Sequence, residues 1–453
     1  MDSTPTPQDA TALTRAIRLP HATAMVVGTI IGASIFVQPS QVTGSVPSLS
    51  GAALVWLLGG ALTMLGALVT AELSSMHPST GGVYVYLREA FGPLAGFLWG
   101  WAMFWTMHTG IIAAIAMVVA SYVGFLVELG PGGQRAVAMA AILALSWVNW
   151  LGVRHGSLLQ SAITLVKVAV IVLMVAIGFA LGAPPAPGAG SAGTGLLGGG
   201  GASGLLSGLA ASLFAFGGWH MVTYNAGETV DAPRTIPRSL VLGVAIVTVC
   251  YVALNSVYFW ALPLERVIAS DRVAADAAEA LLGRGAGVAM TVLVVFSAFG
   301  ALAGIVLAGP RVYYAMARDG QIFRWLGGLN PERRTPHRAI ALQAAWACVL
   351  VGTGTYRQLF TRVIYTEWLF FGAMALGLVL FRARGLRGEY SAPAFPAIPI
   401  VFAIAAFAVA GHEVLSNPVE SAQGLGLVAV GAPVYYLWDR LKKRGPATSG
   451  AHE

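Results

Sequence analysis

Charge is what this 453-residue chain has least of: only 10% of its residues are Asp, Glu, Lys or Arg, where a soluble domain carries about a quarter. With 57% hydrophobic residues and a mean hydropathy of +0.75, that scarcity excludes an ordinary water-soluble enzyme. Cysteine is limited to Cys250 and Cys348, both inside long apolar runs, which excludes a disulfide framework and leaves the redox compartment unread. Lysine is nearly missing too, with three in all, two of them in the C-terminal tail, while arginine supplies the other 23 basic positions. The eight histidines are scattered and none has the Cys/His spacing of a zinc site, so neither a metal nor a cofactor is expected. Glycine (56) and proline (23) are plentiful but dispersed through the apolar runs, as in membrane helices and unlike collagen or low-complexity chains.

With about 20 apolar residues needed per span, the sequence reads as an all-α polytopic membrane protein with twelve spans. They fall at 21–44, 51–74, 93–127, 136–152, 158–181, 204–226, 238–262, 286–316, 339–355, 361–381, 396–414 and 422–438. A pI near 9.6 would suit nucleic acid, but the placement of charge follows the bilayer instead, and no nucleic-acid partner is expected. Counting Arg311 at the inner end of its span, 19 of the 26 Lys and Arg fall on the side of the two tails and six on the other, with Lys167 inside a span. That asymmetry predicts cytoplasmic N- and C-termini in a plasma (inner) membrane. No cleavable signal peptide is expected, because the polar N-tail runs to Pro20 and the first apolar stretch lacks a cleavage-type end.

Two spans are interrupted at equivalent depth. Span 1 contains Gly28-Thr29-Ile30-Ile31-Gly32-Ala33-Ser34-Ile35-Phe36 and span 6 contains Phe214-Ala215-Phe216-Gly217-Gly218-Trp219, each with its small residues about a dozen positions in. Amphipathic stretches follow the second span of each half, Gly82 to Phe91 and Ser270 to Leu282. An odd number of spans separates the halves, so the second is inverted relative to the first. The predicted organisation is an N-tail at 1–20, a first five-span repeat at 21–182, an external linker at 183–203, an inverted repeat at 204–382, two further spans at 396–438 and a C-tail at 439–453. The glycine-rich Gly193 to Gly204 lacks the Lys-Ser/Thr of a phosphate loop and reads as flexible linker.

A lone GxxxG pair such as Gly28 and Gly32 usually means close helix packing. Its recurrence at the matching position of the other half argues instead for unwound backbone, which hydrocarbon tolerates only where a polar ligand or cavity satisfies it. Free N–H groups at the start of one half-helix attract a carboxylate, and free carbonyls at the end of another accept from an ammonium. An amino acid supplies both.

These runs, together with Pro78-Ser79-Thr80-Gly81-Gly82-Val83-Tyr84-Val85-Tyr86-Leu87, the series Glu228, Asp231, Pro233, Ile236, Pro237, and Pro310-Arg311-Val312-Tyr313-Tyr314-Ala315-Met316-Ala317-Arg318-Asp319-Gly320, resemble the amino acid-polyamine-organocation superfamily from about His21 to Asp439. The segment Gln160-Ser161-Ala162-Ile163-Thr164-Leu165-Val166-Lys167 is most similar to the L-type amino-acid transporter branch. The resemblance implies the leucine-transporter fold of five plus five inverted helices. It also implies a substrate pocket of Ile30, Gly32, Ala33 and Ser34 with Phe214, Ala215, Phe216, Gly217 and Gly218, Phe214 covering the substrate. In related transporters a sodium ion bridges spans 1 and 8, so the resemblance further implies sodium-independent transport in which Lys167 is the built-in cation.

Lys167 lies nine residues after Leu158, or ~14 Å along a helix at 1.5 Å per residue, too deep for its side chain to reach the interface. Its compact ammonium suits the carbonyls of span 1 near Gly32 and a hydroxyl on span 8, for which Ser297 is the candidate. The lysine reads equally as a fixed cation or as a proton carrier. His220 faces the substrate or caps the break, His108 reads as a satisfied core histidine or else a proton relay, and Glu367 as a solvated or paired structural residue near an external end. Glu228 and Asp231 beside Arg234 and Arg238 suggest a cytoplasmic ionic latch or a plain solvated loop. Because the expected pocket holds no acidic or basic residue, charged side chains should bind poorly. Ser34, where the family usually has glycine, narrows the pocket or adds a hydroxyl ligand, and the pocket expected is one sized for alanine, serine, threonine or glycine.

The functional expectation is exchange of small neutral L-amino acids by alternating access, with proton-coupled amino-acid or amine symport as the alternative. A polytopic membrane enzyme would need His/Asp/Glu clusters at the membrane surface, which the sequence lacks, and a channel would not need paired breaks. With no cysteine in Val127 to Arg135, no disulfide-linked ancillary subunit is expected; the partners are the amino acid and the lipid bilayer.

Overall fold

A computed structural model describes residue 13 and residues 15–32, 34–181, 196–197, 199–353 and 356–444. Ala33 and most of the N-tail and of the 183–203 linker therefore lie outside the described residues. Within them regular structure is helical, apart from one isolated parallel bridge, Ile17 with Thr229. In chain order the helices are α1 (Leu19–Ile30), α2 (Ser34–Ser45), α3 (Leu49–Met76), α4 (Val83–Phe91), α5 (Pro93–Ala102), α6 (His108–Leu126), α7 (Pro131–Leu151), α8 (Val153–Ala180) and α9 (Gly201–Ala215). They continue as α10 (Ala232–Ala261), α11 (Leu264–Ala269), α12 (Val273–Leu282), α13 (Arg284–Arg318), α14 (His337–Thr353), α15 (Tyr356–Ala383), α16 (Ala397–Ser416) and α17 (Pro418–Arg444). A π turn, Met103–Met107, joins α5 to α6, and α9 runs into a 3₁₀ segment, Trp219–Glu228.

Eight of these segments are long and apolar enough to cross a bilayer, or nine if α1 and α2, which meet at a 46° bend, form one span. The chain is a multi-pass membrane protein. The stretches predicted at 136–152, 339–355 and 422–438 are also helical, as α7, α14 and α17, but fall short on that measure; α14, for one, has 17 residues. Both amphipathic stretches are helices, α4 and α12.

Two helices meet closely beside the first break. On α8, Gln160, Thr164 and Lys167 recur at intervals of four and three, one face of a helix. Gly28 of α1 lies against that face, where a Cβ would run into the Thr164 hydroxyl. Contact is sealed by Gln160 Nε2 donating to Met25 O (3.3 Å) and Thr164 Oγ1 to Ala24 O (3.3 Å). The small residue thus lets α8 bring its polar stripe to the α1 backbone.

Helix α13 is interrupted chemically without ending. Pro310 has no N–H to donate to Val306 O, and Gln343 Nε2 on α14 donates there instead (3.1 Å). In the same region, His108 Nε2 lies 2.8 Å from Ile305 O and Arg311 Nη1 donates to Leu307 O (2.8 Å). His108 is accordingly a satisfied core histidine. At the other side of the bundle, buried Glu72 of α3 accepts from both arms of Arg382 on α15 and from Ala392 N. That carboxylate ties three segments together.

The expected latch of Glu228 and Asp231 with Arg234 and Arg238 is not what forms. Glu228 instead takes a two-pronged grip from Arg311, Nε to Oε2 and Nη2 to Oε1, both 2.9 Å, with the two side chains 1% and 0% exposed. Arg234 pairs at the surface with Glu389 (3.1 Å). Planar guanidinium geometry matches a carboxylate bidentately, and a pair this deep needs that match to offset desolvation. Sequence neighbours were the wrong partners because Glu228 ends the 3₁₀ segment facing α13, away from the start of α10.

Candidate functional site

Each break leaves carbonyls without helical partners. Helix α1 stops at Ile30, and Gly32 N turns back onto Ile30 O (2.8 Å). Helix α9 stops at Ala215, Gly217 N turns back onto Phe214 O (2.9 Å), and Gly218 takes φ +95°, the left-handed region that glycine enters without strain. Thr29 lies directly against Gly218, its Oγ1 3.3 Å from Gly218 O, so the two interruptions touch.

Lys167 meets the first of them. Its Nζ donates to Gly28 O at 2.7 Å and to Ile31 O, and the residue is 3% exposed. Ser297 on α13 donates to Gly32 O (3.4 Å). Among the described residues, the lysine and the serine therefore meet different carbonyls of the same break, Gly28 O and Ile31 O for Lys167 and Gly32 O for Ser297. A three-donor ammonium surrounded by backbone oxygens has the ligand set that a bound monovalent cation would have.

Tyr251 of α10, which no sequence motif marks, joins the two breaks. Its hydroxyl lies 2.9 Å from Ile30 O and 2.9 Å from Ala215 O, one terminal carbonyl from each half-helix. Trp56 and Phe216 hold the ring, with centroids 5.7 and 4.8 Å away. Only a tyrosine in an otherwise apolar run signalled it. Tyr251→Phe strips both carbonyls of a buried donor, at a cost of about 1–3 kcal/mol. The expected result is a lower melting temperature of the detergent-solubilised protein; a melting curve matching the parent would show the hydroxyl to be dispensable.

Between the breaks lies a narrow cavity of about 30 Å³, measured as space for the centre of a water-sized sphere, or roughly two to three waters at ~10–15 Å³ each. Of the predicted pocket residues, Ile30, Gly32, Ser34, Phe214, Gly217 and Gly218 line it. Ala215 and Phe216 do not. Phe216 is fully buried against Trp56 and Tyr251 as a core aromatic, because residues two apart on a helix point about 200° apart and Phe214 has the cavity side. Thr29, Ile111, Ile115, Ile305, Trp219, Met221, Trp368 and Phe371 complete much of the wall, together with Glu367.

Glu367 is thus the main departure from the expectation of a pocket without acidic groups. It sits in the wall of the cavity, and His220 Nε2 lies 3.5 Å from its Oε1. His220 itself is packed edge-on among Trp99, Trp219, Tyr224 and Phe371, with centroids at 4.7–6.1 Å. It stands behind the cavity wall, beside the carboxyl group. Both cysteines are unpaired, Cys250 buried in α10 and Cys348 half-buried in α14, and no cluster that could hold a metal occurs among the described residues.

The profile of a family described as amino acid permease matches residues 17–424. Among curated proteins, the chain is 30% identical to Serine/threonine exchanger SteT of Bacillus subtilis, over 95% of this chain and 98% of that protein. It is 29% identical to Asc-type amino acid transporter 1 of Mus musculus, over 94% of this chain and 81% of the relative, and 30% identical to Large neutral amino acids transporter small subunit 2 of Homo sapiens, again over 94% and 81%. A match this long, spanning both breaks and the cavity between them, makes this chain a member of the amino acid permease family, a transporter and not an enzyme.

Proposed function

We propose that the protein exchanges small neutral L-amino acids across the membrane by alternating access, without sodium. The observation that carries this reading is the Lys167 ammonium on the carbonyls of the α1 break, within the same opening that the α9 break borders. A resident cation there makes a mobile one unnecessary. For the substrate, the start of α2 offers backbone N–H groups to a carboxylate and the end of α9 offers carbonyls to an ammonium, so a zwitterion satisfies both. Small size is supported by the narrow cavity and by Ser34 in its wall. The Bacillus subtilis relative is named a serine/threonine exchanger, which agrees in both substrate size and mode.

In this reading the first and sixth spans belong to two inverted five-helix repeats, α1–α8 and α9–α15, with α16 and α17 as additions, and twelve crossings put both tails in the cytoplasm at the inner membrane. Matching breaks in α1/α2 and after α9, each followed beyond the next long helix by a short amphipathic helix, α4 and α12, support the symmetry. No covalently attached ancillary subunit is proposed, since Cys250 and Cys348 both lie within helices that pack in the bundle.

Proteoliposomes decide the matter. Uptake of labelled alanine or serine is expected to rise several-fold when the lumen is preloaded with unlabelled alanine, to be unaffected when choline replaces sodium, and to need no pH gradient. Accumulation in empty vesicles driven by an imposed proton gradient would replace exchange with proton symport, and loss of uptake without sodium would remove the role given to Lys167.

A further inference from the structure

Among the described residues, Glu367 is the one acidic side chain in the cavity wall, carried there by α15. The broken ends of α1/α2 and α9 have groups suited to the ends of a zwitterion, and the remaining polar side chains of the wall are few. Thr29 is already committed, its Oγ1 bonded to Met25 O at 2.7 Å and to Val26 O at 3.0 Å. Glu367 has no arginine or lysine within ion-pair distance among the described residues, and its neighbour is the His220 imidazole at 3.5 Å. His220 is 1% exposed, and its Nδ1 has no hydrogen-bond partner, so aromatic packing and the Glu367 contact at Nε2 fix the ring. A carboxyl group held this way, one oxygen toward an imidazole, leaves its second oxygen for a ligand.

We propose that Glu367 is a specificity-determining residue that accepts a hydrogen bond from a hydroxyl on the substrate's side chain, with His220 as the positioning residue behind it. A carboxyl oxygen accepts from a hydroxyl in either protonation state. Much of the cavity wall, Ile111, Ile115, Ile305 and Phe371 among it, is apolar, so polar partners for a substrate side chain are few. Preference for a hydroxylated over a purely apolar small side chain then follows from an unpaired buried acceptor: alanine leaves the oxygen without a partner, serine and threonine satisfy it. Acidic side chains are excluded more strongly than an uncharged wall would exclude them, because they meet a second carboxyl group.

This inference rests on the exchange of small neutral amino acids proposed above, and one experiment separates the two. Labelled-alanine exchange in proteoliposomes is measured against unlabelled serine, threonine, alanine, glycine and lysine, for the parent, Glu367→Gln, Glu367→Leu and His220→Phe. The parent is expected to bind serine more tightly than alanine. Glu367→Leu should shift that ratio about tenfold toward alanine, the worth of one buried hydrogen bond, while Glu367→Gln, which keeps a carbonyl acceptor, retains most of the preference. His220→Phe should weaken the ratio less than Glu367→Leu. A Glu367→Leu protein that exchanges alanine with an unchanged serine-to-alanine ratio overturns the role of Glu367, as does a parent that prefers lysine to serine. Should Glu367→Leu not fold, an unchanged ratio in Glu367→Gln and His220→Phe together overturns it equally. If the parent exchanges none of the neutral amino acids, the underlying reading fails first.

Discussion

Lys167→Ala is expected to abolish exchange, cutting the rate by at least a hundredfold, while the protein still inserts and elutes as a single species in detergent. The substitution removes a buried cation that donates to Gly28 O and Ile31 O. Those carbonyls then face a void in a region where no lipid can replace the bonds, and each such orphan costs about 1–3 kcal/mol. In the role proposed for Lys167, the break in α1 loses the cation that bridges its carbonyls. Arginine is no substitute in this confined place, since its planar fork is wider than an ammonium and cannot point three donors at converging oxygens. Lys167→Arg should therefore be nearly as inactive as the alanine variant. Counterflow of labelled serine measures both, and normal exchange by Lys167→Ala would end the assignment. A smaller effect is expected from Ser297→Ala, which gives up a single 3.4 Å contact to Gly32 O.

The largest effect on stability is expected at Arg311. Its guanidinium has no exposed surface and is bonded twice to Glu228 and once to Leu307 O. Arg311→Met leaves the Glu228 carboxylate alone in the interior, and breaking a buried pair from one side costs about 3–5 kcal/mol. The damage spreads, because Glu228 O also accepts from Ala16 N (2.9 Å) and Ile17 N (3.0 Å), which stitches the chain ahead of α1 to the segment after the α9 break. Expression of the single mutant should fall sharply and its melting temperature with it. The double mutant Arg311→Met/Glu228→Leu removes both charges and should recover much of the loss, since a well-packed apolar pair of similar volume is often as stable. Equal melting temperatures for the single and double mutants would mean that the charge left behind is not the cause.

How far the sequence could be read depended on the kind of signal each feature left. Long apolar runs announce helices whatever they pack against, and among the described residues helix is found in all twelve predicted stretches, with eight or nine segments long and apolar enough to cross a bilayer. Glycine pairs at matching depth in the first and sixth spans were legible for a similar reason, because a broken membrane helix survives only where a cavity or ligand satisfies its backbone. Lys167 stood out as a charge where charge is expensive. Glu367 carries the same signal, yet its position near one end of its span made a structural role the natural reading. What the sequence lacked was helix rotation. A span that is apolar on all sides gives no periodicity to say which side faces the cavity, so Phe214 and Phe216, two residues apart, could not be told apart as wall and core. Tyr251 and the partner of Glu228 were hidden by distance: Ile30 is 221 positions from Tyr251, and Arg311 is 83 from Glu228.

Tyr251 has a mechanical consequence. One phenolic proton stands between two acceptors, Ile30 O and Ala215 O, and a hydroxyl has a single hydrogen to give. A tilt of either half-helix that lengthens one of these contacts hands the proton to the other. The two breaks then behave as the arms of a balance with one pivot, in which loosening the first tightens the second. In the alternating access proposed above, a donor shared in this way would couple the two breaks.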